Sequence, residues 1–287
     1  MEEEGADVMR VELIISGVGL ALIILPLLAW KWRVKVSLAI PGAIIIGGLT
    51  GLMVNQIDTA AGGFNIVALV FIELAFILII TALVIGVRFY RDPERSPGET
   101  QNVILSPADG KVIYINKVDQ SSSLVSTKGK RKYNLEEITS TDLLDSAAYL
   151  VGIDMNVFNV HVTRSPICGE IILCKRTKGK FISLRNQESE IVNERVTTVI
   201  GNGVIRVAVV QISSRLVRKI VSNIKKGDVL DIGQRIGSIV FGSQVDLVIP
   251  GPENIKIEVK DGDEVKAGIS VIARYNISAF NQGHLTV

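Results

Sequence analysis

The sequence predicts a mainly β domain carried behind three N-terminal transmembrane helices, and three observations predict it. Hydrophobic residues make up 48% of the 287 residues and the mean hydropathy is +0.39, too apolar for a purely soluble chain. The excess is concentrated before residue 90, in stretches long enough to cross a bilayer. After residue 100 the texture changes to short Val- and Ile-rich runs broken by Gly, Asp, Asn and Lys, the pattern of many short strands joined by turns. A membrane anchor is therefore expected over 1–90 and a β-rich domain over 91–287.

The three spans are residues 11–30 (VELIISGVGLALIILPLLAW), 36–54 (VSLAIPGAIIIGGLTGLMV) and 64–87 (FNIVALVFIELAFILIITALVIGV). The first does not read as a cleaved signal, because its flank MEEEGAD is acidic and no small-residue cleavage site follows. Lys31, Arg33 and Lys35 lie in the first connection, the second holds no basic residue, and Arg88, Arg91 and Arg95 follow the third span. Basic residues stay on the cytoplasmic side, so the chain is expected to be a multi-pass protein of the cell membrane, its N-terminus outside and everything after about residue 88 in the cytoplasm. Trp30 and Trp32 suit the interfacial belt at that boundary. Glu73, inside the third span, has to be protonated or paired with a neighbouring helix, since an ionised carboxylate is costly in lipid.

In the second part, GKVIYINKV, NGVIRVAVVQI and ENIKIEV read as strands. Residues 213–224 (SSRLVRKIVSNI) are expected to form a helix, with Leu216, Ile220 and Ile224 at helical spacing and Ser213 as its cap. The polar stretch 119–146 reads as an insertion or long hairpin, its KGKRKY either a solvated turn or a basic patch against anionic headgroups. Cys168 and Cys174 are expected to be reduced packing residues. A net charge of +2 gives no support to a nucleic-acid partner, and with only two histidines, His161 and the tail residue His284, no metal-ligand cluster is visible.

Two segments echo each other. KKGDVLDIGQRIGSIVF and VKDGDEVKAGISVIARY both run Gly-Asp, a second Gly six positions after the first, then an apolar strand. Half-motifs of this form build the barrel-sandwich of biotinyl and lipoyl carrier modules, which also supports the reading of a membrane-anchored binding module without catalysis. Neither tip, however, carries a Met-Lys-Met or Asp-Lys attachment site.

Three stretches supply chemistry: SPADGKV with Asp109, VFNVHVTRSPICG with His161, and VFGSQVD with Ser243. Their side chains permit a carboxylate orienter, an imidazole base and a hydroxyl nucleophile to meet in space, as a serine hydrolase would also require. The pair Gly242-Ser243 interrupts a strand-like run, where a bulge or tight bend would account for it structurally.

The blocks RFYRDPERSP, SPADGKV, VFNVHVTRSPICGEI, NERVTTVI, VVQISSRLVRKIV and IGQRIGSIVFGSQVDLVIP, in that order from about residue 86 to the C-terminus, resemble those of phosphatidylserine decarboxylase proenzymes, in the short form that includes archaetidylserine decarboxylases. The resemblance implies self-cleavage between Gly242 and Ser243. Ser243, deprotonated by His161 with Asp109 fixing the imidazole tautomer, attacks the Gly242 carbonyl. Elimination and hydrolysis then leave a β chain, 1–242, and an α chain that begins with a covalent pyruvoyl group derived from Ser243. That pyruvoyl cofactor implies an electron sink for converting a serine-headgroup membrane phospholipid to its ethanolamine form, with the bilayer and the enzyme's own two chains as partners. Long bacterial relatives carry two histidines in a YHRVHMP-like stretch. Here NVHVTRSP places His161 on the first and Arg164 on the second, so His161 is expected in processing, in reprotonation or in both. Arg164 is expected to bind the substrate phosphate or carboxylate, or to make a surface ion pair.

Overall fold

Three apolar stretches become three helices in the computed structural model, which describes residues 2–32, 34–118, 124–125, 132–133, 147–179, 193–213, 219–240 and 243–276. Contacts divide the chain into two units, residues 1–90 with 156–158, and residues 91–155 with 159–287.

The first unit holds α1 (Glu2–Lys31), α2 (Val36–Ala61) and α3 (Ile66–Phe89). All three are long and apolar enough to cross a membrane, over Arg10–Lys31, Val36–Ala61 and Ile66–Phe89. Ile15, Phe71 and Val87 are among the large apolar side chains left exposed, as a lipid-facing surface requires. α1 and α2 cross closely because Gly17, Gly47 and Gly51 lie at the contact, where a Cβ on Gly17 would fall 2.5 Å from the Gly47 carbonyl oxygen. The α2–α3 turn is closed by polar groups: Asp58 Oδ1 accepts from the Phe64 amide at 2.6 Å, and the Asn65 side chain caps α3 through the Ala68 amide at 2.9 Å. Glu73 is fully buried and paired with a neighbouring helix, its Oε2 accepting from Ser16 Oγ at 2.7 Å.

The second unit is built from strands. Its first half contains β1 (Val103–Leu105), β2 (Gly110–Val118), β3 (Leu124–Val125), β4 (Lys132–Tyr133), β5 (Ala148–Met155), β6 (Val162–Arg164), β7 (Gly169–Thr177) and β8 (Arg195–Gly201). Then come β9 (Arg206–Ile212), β10 (Lys219–Ser222), β11 (Val229–Leu230), β12 (Arg235–Val240), β13 (Ser243–Pro250), β14 (Ile255–Ile257), β15 (Glu264–Val265) and β16 (Val271–Tyr275). An eight-stranded antiparallel sheet has the order β11-β7-β8-β9-β13-β5-β2-β15, and two three-stranded sheets have the orders β1-β16-β14 and β10-β12-β6. Val112, Ile153, Ile171, Val209, Leu247 and Ile272 belong to one continuous apolar core joining these sheets.

The strand order is the same from either end, because the unit is a repeat. β1, β2 and β5 correspond to β6, β7 and β8, and β9 to β12 correspond to β13 to β16. The echoing segments make matching bonds: Gly227 N donates to Ile171 O at 2.9 Å and Gly262 N to Val112 O at 2.9 Å, while Gly233 N donates to Ser165 O at 2.9 Å and Gly268 N to Ser106 O at 2.8 Å. The two copies also bond reciprocally, Leu105 N to Pro166 O and Arg164 N to Pro107 O, both at 2.9 Å.

One expected element is overturned. Within 213–224, residues 214–218 lie outside the described residues, and residues 219–222 form the strand β10 rather than a helix, with Ile220 opposite Ile239 of β12. A spacing of four satisfies both the 3.6-residue and the two-residue period, so Leu216, Ile220 and Ile224 fit a strand face as well as a helix, and pairing with β12 decides between them. Of 119–146, only the antiparallel pair β3 and β4 lies among the described residues; the remainder, with Gly242 and His284, lies outside them.

Candidate active site

Asp109 stands in the turn Ser106–Gly110 that joins β1 to β2. Ser106 Oγ donates to Ala108 O at 2.7 Å, and at Gly110, with φ 154°, a Cβ would lie 2.3 Å from the Asp154 carbonyl oxygen. The second copy repeats this turn as Ser165–Gly169: Ser165 Oγ donates to Ile167 O at 2.6 Å, and a Cβ on Gly169, φ 152°, would lie 2.3 Å from Gly201 O. SPADG and SPICG thus fold alike, and Cys168 occupies the place of Asp109. Cys168 is exposed rather than packed, while Cys174 is half-buried with Sγ 3.6 Å from Ser222 Oγ; both are free thiols. The turn requires its Ser and Gly, not a carboxylate.

The Asp109 carboxylate is buried and accepts four N–H bonds. Oδ1 takes Arg95 Nη1 at 2.5 Å and the Ala267 amide at 2.8 Å; Oδ2 takes Arg95 Nη2 at 2.9 Å and the Val160 amide at 3.3 Å. Those donors match the four lone-pair directions of a carboxylate, two of them supplied by the fork of one guanidinium. Arg95 Nη1 also donates to Ala267 O at 2.8 Å, which closes the ring of contacts.

His161 lies one residue beyond Val160 and is 3% exposed. Its Nδ1 is 2.9 Å from the Asn159 carbonyl oxygen, which can only accept. The proton therefore sits on Nδ1, and Nε2 is the basic atom. The Asn159 carbonyl thus faces Nδ1, while Asp109 holds the adjacent Val160 amide and acts on the ring through its charge. Burial pushes the imidazole pKa down to about 4, opposed by the Asn159 bond and the Asp109 charge and assisted by the Arg91 charge. At neutral pH the ring is a neutral base.

Ser243 opens β13, opposite Met155 of β5, and from Gln244 onward the strand is flanked on both sides, by β5 and β9. Ile239 N donates to the His161 carbonyl at 3.1 Å, and the four-residue step from Ile239 to Ser243 spans at most about 14 Å of extended chain. Chain connectivity thus keeps the Ser243 backbone within that reach of Ile239, the residue bonded to the His161 carbonyl. Gly242 and the Ser243 side chain lie outside the described residues.

Arg164 is neither a surface residue nor open to substrate in this geometry. It is 3% exposed, its Nη1 donates to Gly233 O at 3.1 Å, and its Nη2 donates to Asp92 Oδ1 at 3.2 Å and Pro93 O at 3.0 Å. Arg164→Ala is expected to lower folding stability by about 3 kcal/mol, because a large buried side chain is lost and Gly233 O, Pro93 O and the exposed Asp92 lose their donor. Denaturant unfolding of the detergent-solubilised protein measures this, and a variant as stable as the parent would return Arg164 to the substrate.

Arg95, Asp92 and Asn159 are not marked as site residues by the sequence. Arg95 and Asp92 stood within the block RFYRDPERSP, but one sequence does not say which charge meets which; Asn159 acts through its backbone, which leaves no side-chain signal. Asp92 also accepts from Arg235 Nε at 2.6 Å and Glu94 from Arg235 Nη2 at 2.7 Å, so the segment following α3 is tied down by ion pairs. Chemically, a neutral buried imidazole beside a fixed carboxylate can take a proton from a nearby hydroxyl.

A family model of phosphatidylserine decarboxylases matches residues 84–273. A Methanocaldococcus jannaschii protein named as an archaetidylserine decarboxylase proenzyme is 38% identical over 197 residues, 69% of this chain and 93% of its own length. A phosphatidylserine decarboxylase proenzyme of Chlorobium chlorochromatii is 38% identical over 190 residues, 65% of this chain and 77% of its own. One from Desulfotalea psychrophila is 32% identical over 203 residues, 70% of this chain and 85% of its own. With this match and these identities over most of the β-rich part, the chain belongs to the phosphatidylserine decarboxylase family.

Proposed function

We propose that this decarboxylase cleaves itself between Gly242 and Ser243 and then acts on a membrane phospholipid with a serine headgroup. The observation that carries the reading is the neutral, buried His161, Nε2 basic, with Ser243 reached four residues from its backbone partner Ile239. His161 takes the proton of the Ser243 hydroxyl as its oxygen attacks the Gly242 carbonyl carbon. The C–N bond breaks, the amine takes up the proton, and an ester replaces the amide. Loss of the Cα proton then breaks the ester Cβ–O bond, leaving the Gly242 carboxylate on one chain and dehydroalanine on the other, which water converts to pyruvoyl and ammonia.

The residues present suit such a group. β13 stays positioned when its link to residue 242 is cut, because eight register pairs hold it to β5 and five to β9. Behind residue 243 the buried Gln244 is pinned, its Nε2 donating to Tyr114 Oη and Asp246 Oδ1, each at 2.8 Å. When present, a pyruvoyl carbonyl supplies an electron sink for the carbon losing carbon dioxide. The two chains are expected to stay together under native conditions, since β13, β15 and β16 pair with β5, β2 and β1.

Within the same reading, the paired halves are of barrel-sandwich type, supported by the matched Gly-Asp turns. The basic residues flanking the helices favour a cytoplasmic face for the site. Intact mass under denaturing conditions tests the proposal. Two chains, 1–242 and 243–287, the second with a blocked amino terminus, are expected together with carbon dioxide release from serine-headgroup lipid in vesicles. A single chain that is fully active would overturn it.

A further inference from the structure

Asp109 has an internal control. At the equivalent place in the second copy the turn folds with Cys168, exposed and without a charged partner among the described residues, so neither a carboxylate nor an arginine beside it is needed to shape Ser106–Gly110. Yet in the first copy Arg95 reaches from the segment after α3 to occupy both oxygens of Asp109, buried with it at 10% and 8% side-chain exposure. A pair of this kind is a costly arrangement to bury unless it serves placement. What it places is the Val160 amide, next in the chain to His161.

We infer that Arg95 is a positioning residue for maturation: by holding Asp109 on the Val160 amide and off the imidazole, it lets His161 keep its Asn159 hydrogen bond and present Nε2 as a base. The inference rests on the processing role proposed for His161. Among the described residues, the charged groups acting on the ring are Asp109 from the β1–β2 turn and Arg91 from the segment after α3, which pull its protonation in opposite directions. Arg95 acts through Asp109. With Arg95 gone, the Asp109 charge is no longer neutralised and favours the imidazolium, so the ring takes up its proton at a higher pH. A base is active only when unprotonated, so the acid limb of the maturation profile moves upward with it.

The chain has two histidines, so histidine-selective labelling in a His284→Gln background isolates His161 by NMR in the detergent-solubilised full chain. Adding Ser243→Ala keeps every sample uncleaved. Arg95→Gln is expected to raise the His161 midpoint by about one pH unit or more, and Arg95→Lys, which keeps the charge but not the fork, by less. Arg235→Gln breaks the ion pairs to Asp92 and Glu94 without touching Asp109, and is expected to leave the midpoint unmoved. In chains that retain Ser243, pulse-labelled cell-free synthesis into nanodiscs across pH should show the acid limb of cleavage shifted by the same amount in Arg95→Gln. A His161 midpoint unmoved in Arg95→Gln, or moved equally in Arg235→Gln, overturns the inference. If the parent chain is never cleaved while the midpoint still moves, the processing reading fails and the positioning role of Arg95 stands.

Discussion

Ser243→Ala is expected to yield one uncleaved 287-residue chain, folded and membrane-bound, with no detectable decarboxylation. The methyl group keeps the strand register opposite Met155 and removes only the hydroxyl that attacks Gly242. Stability should change by less than about 1 kcal/mol, because β13 keeps its backbone pairing to β5 and β9 and only one hydroxyl is removed. Activity falls completely rather than partially, since without processing there is no electron sink at all. Gel analysis gives the chain count, and carbon dioxide release from lipid vesicles gives the activity. Turnover by uncleaved Ser243→Ala protein would remove the pyruvoyl assignment outright.

The second large effect separates His161 from Asp109. His161→Ala removes the base and is expected to slow maturation by about 10²- to 10⁴-fold, the usual worth of a positioned general base, and to lower folding stability by about 2 kcal/mol, because a buried, hydrogen-bonded ring is lost. Asp109→Asn acts differently. An amide offers one oxygen to an environment of four N–H donors, so its NH2 group faces the Arg95 fork or the Val160 amide donor to donor. Breaking this nearly buried pair is expected to destabilise the fold by about 3–5 kcal/mol, in addition to impairing maturation. Denaturant unfolding of both variants in a Ser243→Ala background, beside cleavage rates in Ser243 chains, resolves the two effects. Normal cleavage with lost turnover in His161→Ala would move that residue from processing to the decarboxylation step.

Family membership, the three spans and the strand-rich character of the second part were legible because each is carried locally, by runs of apolar residues, by their spacing and by short ordered blocks. The Gly-Asp echo was legible too, although its counterpart in SPADG and SPICG shows only once the two turns are seen to share geometry. By itself, then, the sequence determined three helices long and apolar enough to cross a membrane, the mainly β texture, the family and the identity of Asp109 and His161 as residues worth testing. Tertiary structure alone decided that 219–222 is a strand, because a four-residue spacing serves both periods until β12 offers its edge. It alone decided that Arg164 is enclosed by Asp92, Pro93 and Gly233, and that the Asn159 carbonyl lies 2.9 Å from the imidazole Nδ1. Contacts between residues 72 positions apart, such as Arg164 with Asp92, and hydrogen bonds made by the backbone leave no periodic trace in the order of side chains; they exist only once distant segments are brought within about 3 Å of one another.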